Sequence, residues 1–512
     1  MPDISVGISG VRKLLGDLKP NKASGPDNIQ SQFLRIAAEE LAPALTVIFQ
    51  ASLKQGALPA DWRHARVAPI YKAGKSNRSK AVNYRPVSLT CICCKVMEHL
   101  ICSNLMSHLD KHSIMTDFQF GFRKKRSCET QLLITVDQLA KSLDDGQQTD
   151  CILLDFSKAF DKVSHSRLLL KLEHYGVQGQ TLHWIGAFLR NRTQEVVIKG
   201  ERSDTIPVTS GVPQGTVLGP ALFLVYINDL PQWVKSTPRL FADDCLLYRE
   251  INSPEDASVL QQDLDSLQIW EKTWLMEFAE DKCKVIRITK KRHRNIIFYD
   301  YSIHGYTLQA EREGKYLGVI LNERLSFNSH INSIVKKASV TRQFLQRNLR
   351  GCSREVKATS YITFVRPLLE YASTVWDPVG HKTNQLKLEA EQKRAARFVV
   401  GDYRHTTSVT GIINQLRWES LSERRAKAKA IMVYRILNGL VFAPTDFLLK
   451  SSVPSQTRGA LYKLVILHPR TDLYRNAFVV SASCLWNGLP AGTTQAHTLG
   501  AFRGQLAHAN LQ

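Results

Sequence analysis

Two short apolar runs, each delivering acids, constrain this chain more than any other feature of its 512 residues. In Cys151-Ile-Leu-Leu-Asp155 an apolar strand ends on a carboxylate. In Arg239-Leu-Phe-Ala-Asp-Asp-Cys-Leu-Leu-Tyr-Arg249 two adjacent acids interrupt apolar flanks. The second run reads as strand, tight turn, strand, with Asp243 and Asp244 at the turn. Neighbouring carboxylates repel unless water or a cation screens them. Taken alone, the pair is also what an ordinary polar hairpin turn contains. Two strand-borne acids side by side in one sheet, however, can hold two divalent ions about 3.5–4 Å apart, the arrangement of in-line phosphoryl transfer. Mg²⁺ suits such carboxylates when substrate phosphates complete its shell, and Mn²⁺ is the second choice.

The net charge of +22 and a pI near 9.6 point to a polyanionic partner, nucleic acid first and an anionic membrane surface second. A merely basic globular protein is the plain alternative. Hydrophobic content of 44% and charged content of 22% are those of a folded chain, long enough for more than one domain. No basic segment followed by an apolar core opens the sequence, so no secretory leader is expected. The longest apolar run, residues 217–227, is too short for a bilayer and holds Gly219 and Pro220, so no membrane partner is expected. The ten cysteines are scattered. Cys91 and Cys94 have metal-ligand spacing without a second pair at finger distance, so buried thiols in a reducing compartment are the better reading. The expected address is intracellular, without a choice between nucleus and cytoplasm.

Along the chain, residues 11–53 read as helical, broken by the Pro/Gly/Asn loop Lys19-Pro-Asn-Lys-Ala-Ser-Gly-Pro-Asp27. Residues 62–73 read as a strand, 73–83 as a Lys/Ser/Asn-rich loop, and Tyr84-Arg-Pro-Val-Ser-Leu89 as the return. Residues 91–112 form an apolar-periodic helix. Phe118 to Arg123 mixes aromatics with cations, suited either to stacking bases or to a core. Residues 168–189 read as two helices broken at Gly176, and residues 193–208 as a hairpin turning at Lys199-Gly-Glu-Arg202. In the Gly-rich string that follows, bare Gly215 lets another backbone or a base approach closely, and Gln214 offers an amide that donates and accepts. Ser253-Pro-Glu-Asp256 opens a helix, with Leu260, Leu264, Leu267 and Trp274 as core. Residues 282–288 read as a strand. Residues 333–350 form a basic helix with Lys336, Lys337, Arg342, Arg347 and Arg350, expected to contact phosphates. Beyond about residue 440, Ser/Pro/Gly-rich loops are expected.

The strings Asn83-Tyr-Arg-Pro-Val-Ser-Leu89, Phe118-Gln-Phe-Gly-Phe-Arg123, Leu154-Asp-Phe-Ser-Lys-Ala-Phe-Asp161, Ser210-Gly-Val-Pro-Gln-Gly-Thr-Val-Leu-Gly-Pro220, Phe241-Ala-Asp-Asp244 and Tyr316-Leu-Gly-Val-Ile320 occur in one order. In that order they resemble the reverse transcriptase of non-LTR (LINE-type) retrotransposons, nearest the jockey-like branch. The resemblance runs from about residue 11 to the end and is densest over residues 62–327. It implies an α+β right-hand polymerase: fingers, a palm with an antiparallel sheet, a helical thumb and a mainly helical C-terminal extension. The implied boundaries are 1–52 for an N-terminal extension of the fingers, 53–320 for fingers and palm, 321–400 for the thumb and 401–512 for an accessory region. The implied reaction copies an RNA template into DNA from a DNA primer and deoxynucleoside triphosphates.

The resemblance also implies residue roles. Asp155 and Asp243 bind two Mg²⁺ ions with help from the Phe156 carbonyl, and Asp244 supports them. Lys282 protonates the departing pyrophosphate, with Lys284 the alternative. Lys72 and Arg85 brace the triphosphate, although as residues alone they read equally as solvated cations. Phe160 excludes a ribose 2′-hydroxyl, and Gln214 and Gly215 line the nucleotide site. Asp161 and Lys158 are read as a surface pair. Residues 316–320 grip the primer. Two rivals stand beside this reading, a catalytically inactive nucleic-acid-binding remnant and a group II intron-like maturase. Relatives usually carry an endonuclease ahead of the fingers, so a polymerase lacking that segment is the expectation. Template, insertion target and oligomeric state are not encoded in any motif.

Overall fold

A computed structural model describes residues 1–72, 74, 77–449 and 463–509. Residues 73, 75 and 76 of the expected Lys/Ser/Asn-rich loop, and 450–462 of the expected C-terminal loops, lie outside them. Helices and largely antiparallel strands make an α+β fold. The chain divides into two compact units. The first holds residues 1–122, 154–245 and 262–282, and the second holds 123–153, 246–261 and 283–512.

In the first unit, strand His64–Tyr71 pairs antiparallel with Tyr84–Leu89, setting Ile70 opposite Arg85 and Val67 opposite Ser88. It pairs parallel with Arg192–Ile198 on its other side. That strand turns through Lys199 and Gly200, both at positive φ, into Glu201–Arg202. Two positive φ values at a two-residue turn match the twist of an antiparallel pair, which is why Gly stands there. Trp62 lies not in the expected strand but in the short helix Ala60–Arg63, where its ring is buried against Phe49. The expected break over residues 19–27 separates the helix Ile8–Gly16 from Ser31–Ile36 and Ala38–Gln55. Helices Ile92–Lys111, His165–His174, Gly179–Leu189 and Leu218–Ile227 complete this unit's core. Every residue of Leu218–Ile227 except Pro220 is buried, so the longest apolar run is a core helix. Trp270, not Trp274, is the fully buried indole of helix Pro254–Trp274.

In the second unit, Gln309–Ala310, Lys284–Ile288, Thr149–Leu154 and Asp244–Glu250 lie in that order in one sheet. Leu154, Asp244 and Cys245 of these strands belong to the first unit. Thr149–Leu153 runs antiparallel to Lys284–Ile288, so the strand expected from residue 282 begins two residues later. Glu313–Tyr316 and Val319–Asn322 form the expected hairpin, turning at Leu317 and Gly318, both at positive φ. The core continues through helices Asn328–Asn348, Lys382–Val400 and Leu421–Leu437. Helices return after the expected C-terminal loops, at Phe478–Gly488 and Leu499–Leu506, because Phe478, Val479, Trp486 and Phe502 supply a buried face. Asp377 pairs with Arg425 at 2.7 Å and Lys429 at 2.9 Å, which ties Thr374-Val-Trp-Asp377 to Leu421-Ser-Glu-Arg-Arg425.

One basic residue is not the phosphate contact expected. Arg342 is buried and its Nε donates to Glu391 at 2.6 Å, with the Glu391 side chain 0% exposed. Without Arg342 the buried Glu391 carboxylate keeps the exposed Arg394, 3.1 Å from its other oxygen, but the oxygen facing Arg342 is left uncompensated in the core. Arg342→Ala is therefore expected to lower stability by about 3–5 kcal/mol, whereas exposed Lys336→Ala changes it by less than about 0.5 kcal/mol. Chemical denaturation of the two variants checks this.

Candidate active site

Of the residues singled out for chemistry, Lys72, Arg85, Asp155, Phe156, Phe160, Gln214, Gly215, Asp243, Asp244 and Lys282 fall in the first unit, and Lys284 and residues 316–320 in the second. Asp155 follows the last residue of strand Thr149–Leu154, and its side chain is 51% exposed. The backbone there is held from one side: Ser157 N donates to Glu277 O at 2.8 Å, and Ala279 N to Asp155 O at 2.7 Å. Phe156 thus occupies the non-hydrogen-bonded position opposite Phe278, and its carbonyl faces away from that neighbour. Its ring is buried, stacked on Phe278 with centroids 4.5 Å apart. Asp243 sits in the two-residue turn between Thr237–Phe241 and Asp244–Glu250, after Ala242 at a φ of 52°.

Asp243 and Asp244 both feel the charge of Asp155. Crowding by the surrounding protein pushes the Asp244 carboxyl up to about 6, and repulsion from Asp243 and then Asp155 adds to it. Asp243 is raised for the same reasons, crowding first and then Asp155, with the Arg85 cation pulling it back. Both remain open to solvent. Lys282 Nζ lies 3.7 Å from Asp155 Oδ2, whereas Lys284 is bound to Glu311 at 2.9 Å.

The Gly-rich string packs onto the turn that follows Asp155. Gly211 N donates to Val163 O, and a Cβ on Gly211 would fall 2.7 Å from Asp161 O. Val212 N donates to Phe160 O at 2.8 Å. Gln214 Nε2 donates to Asp161 Oδ1 at 3.3 Å, and Ser210 Oγ to Asp161 O at 3.0 Å. Asp161 is therefore no mere surface partner of Lys158. Burial raises its carboxyl, while Gln214, Lys158 and Lys72 draw it down. Gly215, at a φ of 104°, would place a Cβ 2.7 Å from Ser88 O, and Ser88 N donates to Gln214 O at 2.7 Å. The close approach that Gly215 permits is thus to the backbone of strand Tyr84–Leu89. Phe160 stacks on buried Phe223, ring centroids 4.3 Å apart. Lys72 donates through Nζ to Val82 O at 2.9 Å, and Arg85 stands exposed.

Two buried side chains near this site escaped the sequence reading. Glu98, 0% exposed on helix Ile92–Lys111, accepts from Val217 N at 2.7 Å and Leu218 N at 2.9 Å, satisfying the first amides of helix Leu218–Ile227. The signal was a lone acid on a buried helical face. Gln119 lies in Phe118-Gln-Phe-Gly-Phe-Arg123, where the aromatics divide: Phe120 is buried and Phe122 exposed.

Among the described residues no group of three or more His, Cys, Asp or Glu side chains could hold a metal ion. The donors present are two hard carboxylates, a supporting third and a free-facing carbonyl. They fit an ion that takes one or two protein carboxylates and completes its shell with phosphate oxygens. None of the ten cysteines is in a disulfide, and burial pushes Cys91 up to about 12 and Cys94 well above its ordinary value. No described helix is long and apolar enough to cross a membrane.

Residues 71–321 match the family described as reverse transcriptase (RNA-dependent DNA polymerase). The chain is 29% identical over 417 residues to the RNA-directed DNA polymerase from mobile element jockey of Drosophila melanogaster, covering 78% of this chain and 44% of that protein. It is 28% identical over 417 residues to a probable RNA-directed DNA polymerase from transposon BS, with 78% and 45% covered. To that from transposon X-element it is 29% identical over 390 residues, with 74% and 42% covered. Both are from the same fly. The chain spans less than half the length of these relatives.

A carboxyl raised in the folded state makes folding costlier above that raised pKa, and the cost vanishes below the unfolded value. Asp244→Asn is accordingly expected to raise the melting temperature of the metal-free chain by about 1–3 °C near pH 8, and to leave it unchanged near about pH 4. Melting curves at the two pH values decide it.

Proposed function

We propose that this chain is an RNA-directed DNA polymerase of the kind carried by jockey-like non-LTR retrotransposons, a reading supported by the match of residues 71–321 to the reverse transcriptase family and by the similarity to the jockey, BS and X-element polymerases. The observation that carries the proposal is the placement, within one compact unit, of Asp155 just past the end of strand Thr149–Leu154 with Lys282 Nζ 3.7 Å away, and of Asp243 and Asp244 at the turn between Thr237–Phe241 and Asp244–Glu250. The proposed architecture is a right hand, with residues 1–52 extending the fingers, 53–320 as fingers and palm, 321–400 as thumb and 401–512 as an accessory region. The proposed partners are an RNA template, a DNA primer and deoxynucleoside triphosphates.

In this reading Asp155 and Asp243, with the Phe156 carbonyl, would hold two Mg²⁺ ions, which when bound lower the pKa of the primer 3′-hydroxyl and neutralise the leaving phosphates. Asp244 keeps the local field negative and is ionised above about pH 6. Lys282, counter-ion of Asp155 before substrate arrives, gives its Nζ proton to the departing pyrophosphate. Lys72, just past the end of strand His64–Tyr71, and Arg85, on the strand paired with it, brace the triphosphate. Gln214, oriented by Asp161, faces the nucleotide. Phe160, fixed by its stack on Phe223, blocks a 2′-hydroxyl.

Primer extension on an RNA template tests the proposal. The chain is expected to extend the primer, and Asp243→Asn to cut the rate by about 10³-fold or more. Duplex binding without extension would instead favour an inactive remnant. Phe160→Val is expected to increase ribonucleotide incorporation relative to deoxynucleotide by about 10–100-fold, measured by single-nucleotide addition.

A further inference from the structure

We infer that Gln119 is a positioning residue whose side-chain carbonyl holds the turn presenting Asp243 and Asp244. The inference rests on the polymerase reading above. Gln119 is 1% exposed. Its Oε1 accepts two backbone hydrogen bonds, from Gly121 N at 2.7 Å and from Ala242 N at 2.9 Å. One amide is local and the other belongs to the residue immediately before Asp243.

The surrounding backbone gives this contact its force. Residues 118–121 run alongside strand Thr237–Phe241, with Phe120 N donating to Leu240 O at 2.8 Å and Leu240 N to Phe118 O at 3.0 Å. That ladder stops at Leu240. Beyond it the chain must turn, and Ala242 does so at a φ of 52°, where a residue with a Cβ is strained. Such a conformation persists only where its surroundings over-determine it. Gln119 supplies the acceptor for the strained residue's amide, so the side chain continues the ladder one step past the point where backbone can. Gly121 leaves room for it: a Cβ there would fall 2.3 Å from Ala242 N.

A space-filling residue would not need these bonds. Met has similar bulk and offers only a weak acceptor, and it would leave the Ala242 amide buried without its oxygen. The consequence reaches the metal donors, because Ala242 is covalently joined to Asp243. Residues that orient ligands typically change metal affinity or activity about 10–100-fold when lost.

The test compares wild type, Gln119→Met and Gln119→Glu, the last retaining an oxygen acceptor. Half-saturating Mg²⁺ is measured in primer extension. Mn²⁺ binding is measured by electron paramagnetic resonance on the complex with a dideoxy-terminated primer on RNA. Duplex affinity and melting temperature are followed alongside. Gln119→Met is expected to raise both metal midpoints about tenfold at unchanged duplex affinity, and Gln119→Glu to recover them in large part. Wild-type metal midpoints in Gln119→Met overturn the inference. So does a parallel fall of duplex affinity, metal binding and melting temperature that Gln119→Glu shares, since that marks packing alone. If Gln119→Met fails to fold, Gln119→Glu decides: wild-type midpoints support the inference and a tenfold shift overturns it. A wild type that neither extends primer nor binds Mn²⁺ refutes the polymerase reading itself.

Discussion

Repulsion among Asp155, Asp243 and Asp244 is the constraint the first unit is built around. Like charges drift apart unless their backbones are held, and here the backbones are held from several directions. Residues 277–279 bind the chain on either side of Phe156. Gln119 and the ladder to Leu240 bind the chain before Asp243. Burial raises the Asp243 and Asp244 carboxyls first, and the neighbouring acids raise them further. Such a site stores unfavourable electrostatics that a bound cation relieves, which is how affinity for a hard ion arises without a closed cage of ligands.

Glycine makes the rest of the site possible by letting backbones meet. Gly121 lies against Ala242, Gly211 against Asp161 and Gly215 against Ser88, each where a methyl group would sit under 3 Å from main chain. These contacts bring the strings of the sequence together without long side chains bridging them. Asp161 then orients Gln214, and Glu98 caps the helix that begins beyond the same loop.

Much of this was legible from residues alone. Apolar runs ending in acids announced the strands and the turn, because alternation and turn chemistry are local. The Lys199-Gly200 turn followed from the same rule, whereas the segment turning at Leu317-Gly318 was singled out by the family resemblance. What escaped was tertiary. Gln119 and Glu98 differ from surface residues only by where folding buries them. Arg342 looked like its basic neighbours until Glu391, 49 residues further on, proved to be its partner. Trp270 and Trp274 stand four residues apart on one helix, and spacing alone could not say which indole the core would enclose. The helices near the C-terminus were expected only through the resemblance, because the Ser/Pro/Gly-rich composition before them reads as loops.

The bond from Ser88 N to Gln214 O has a mechanical meaning. Ser88 shares its strand with Arg85, and that strand is zipped to the one that leads into Lys72. The groups expected to grip a polyphosphate tail and the amide expected to sense its sugar and base are therefore joined through main chain. A swing of that hairpin would carry Gln214 with it or break this bond, so the proposed grasp of a nucleotide and its inspection are mechanically linked.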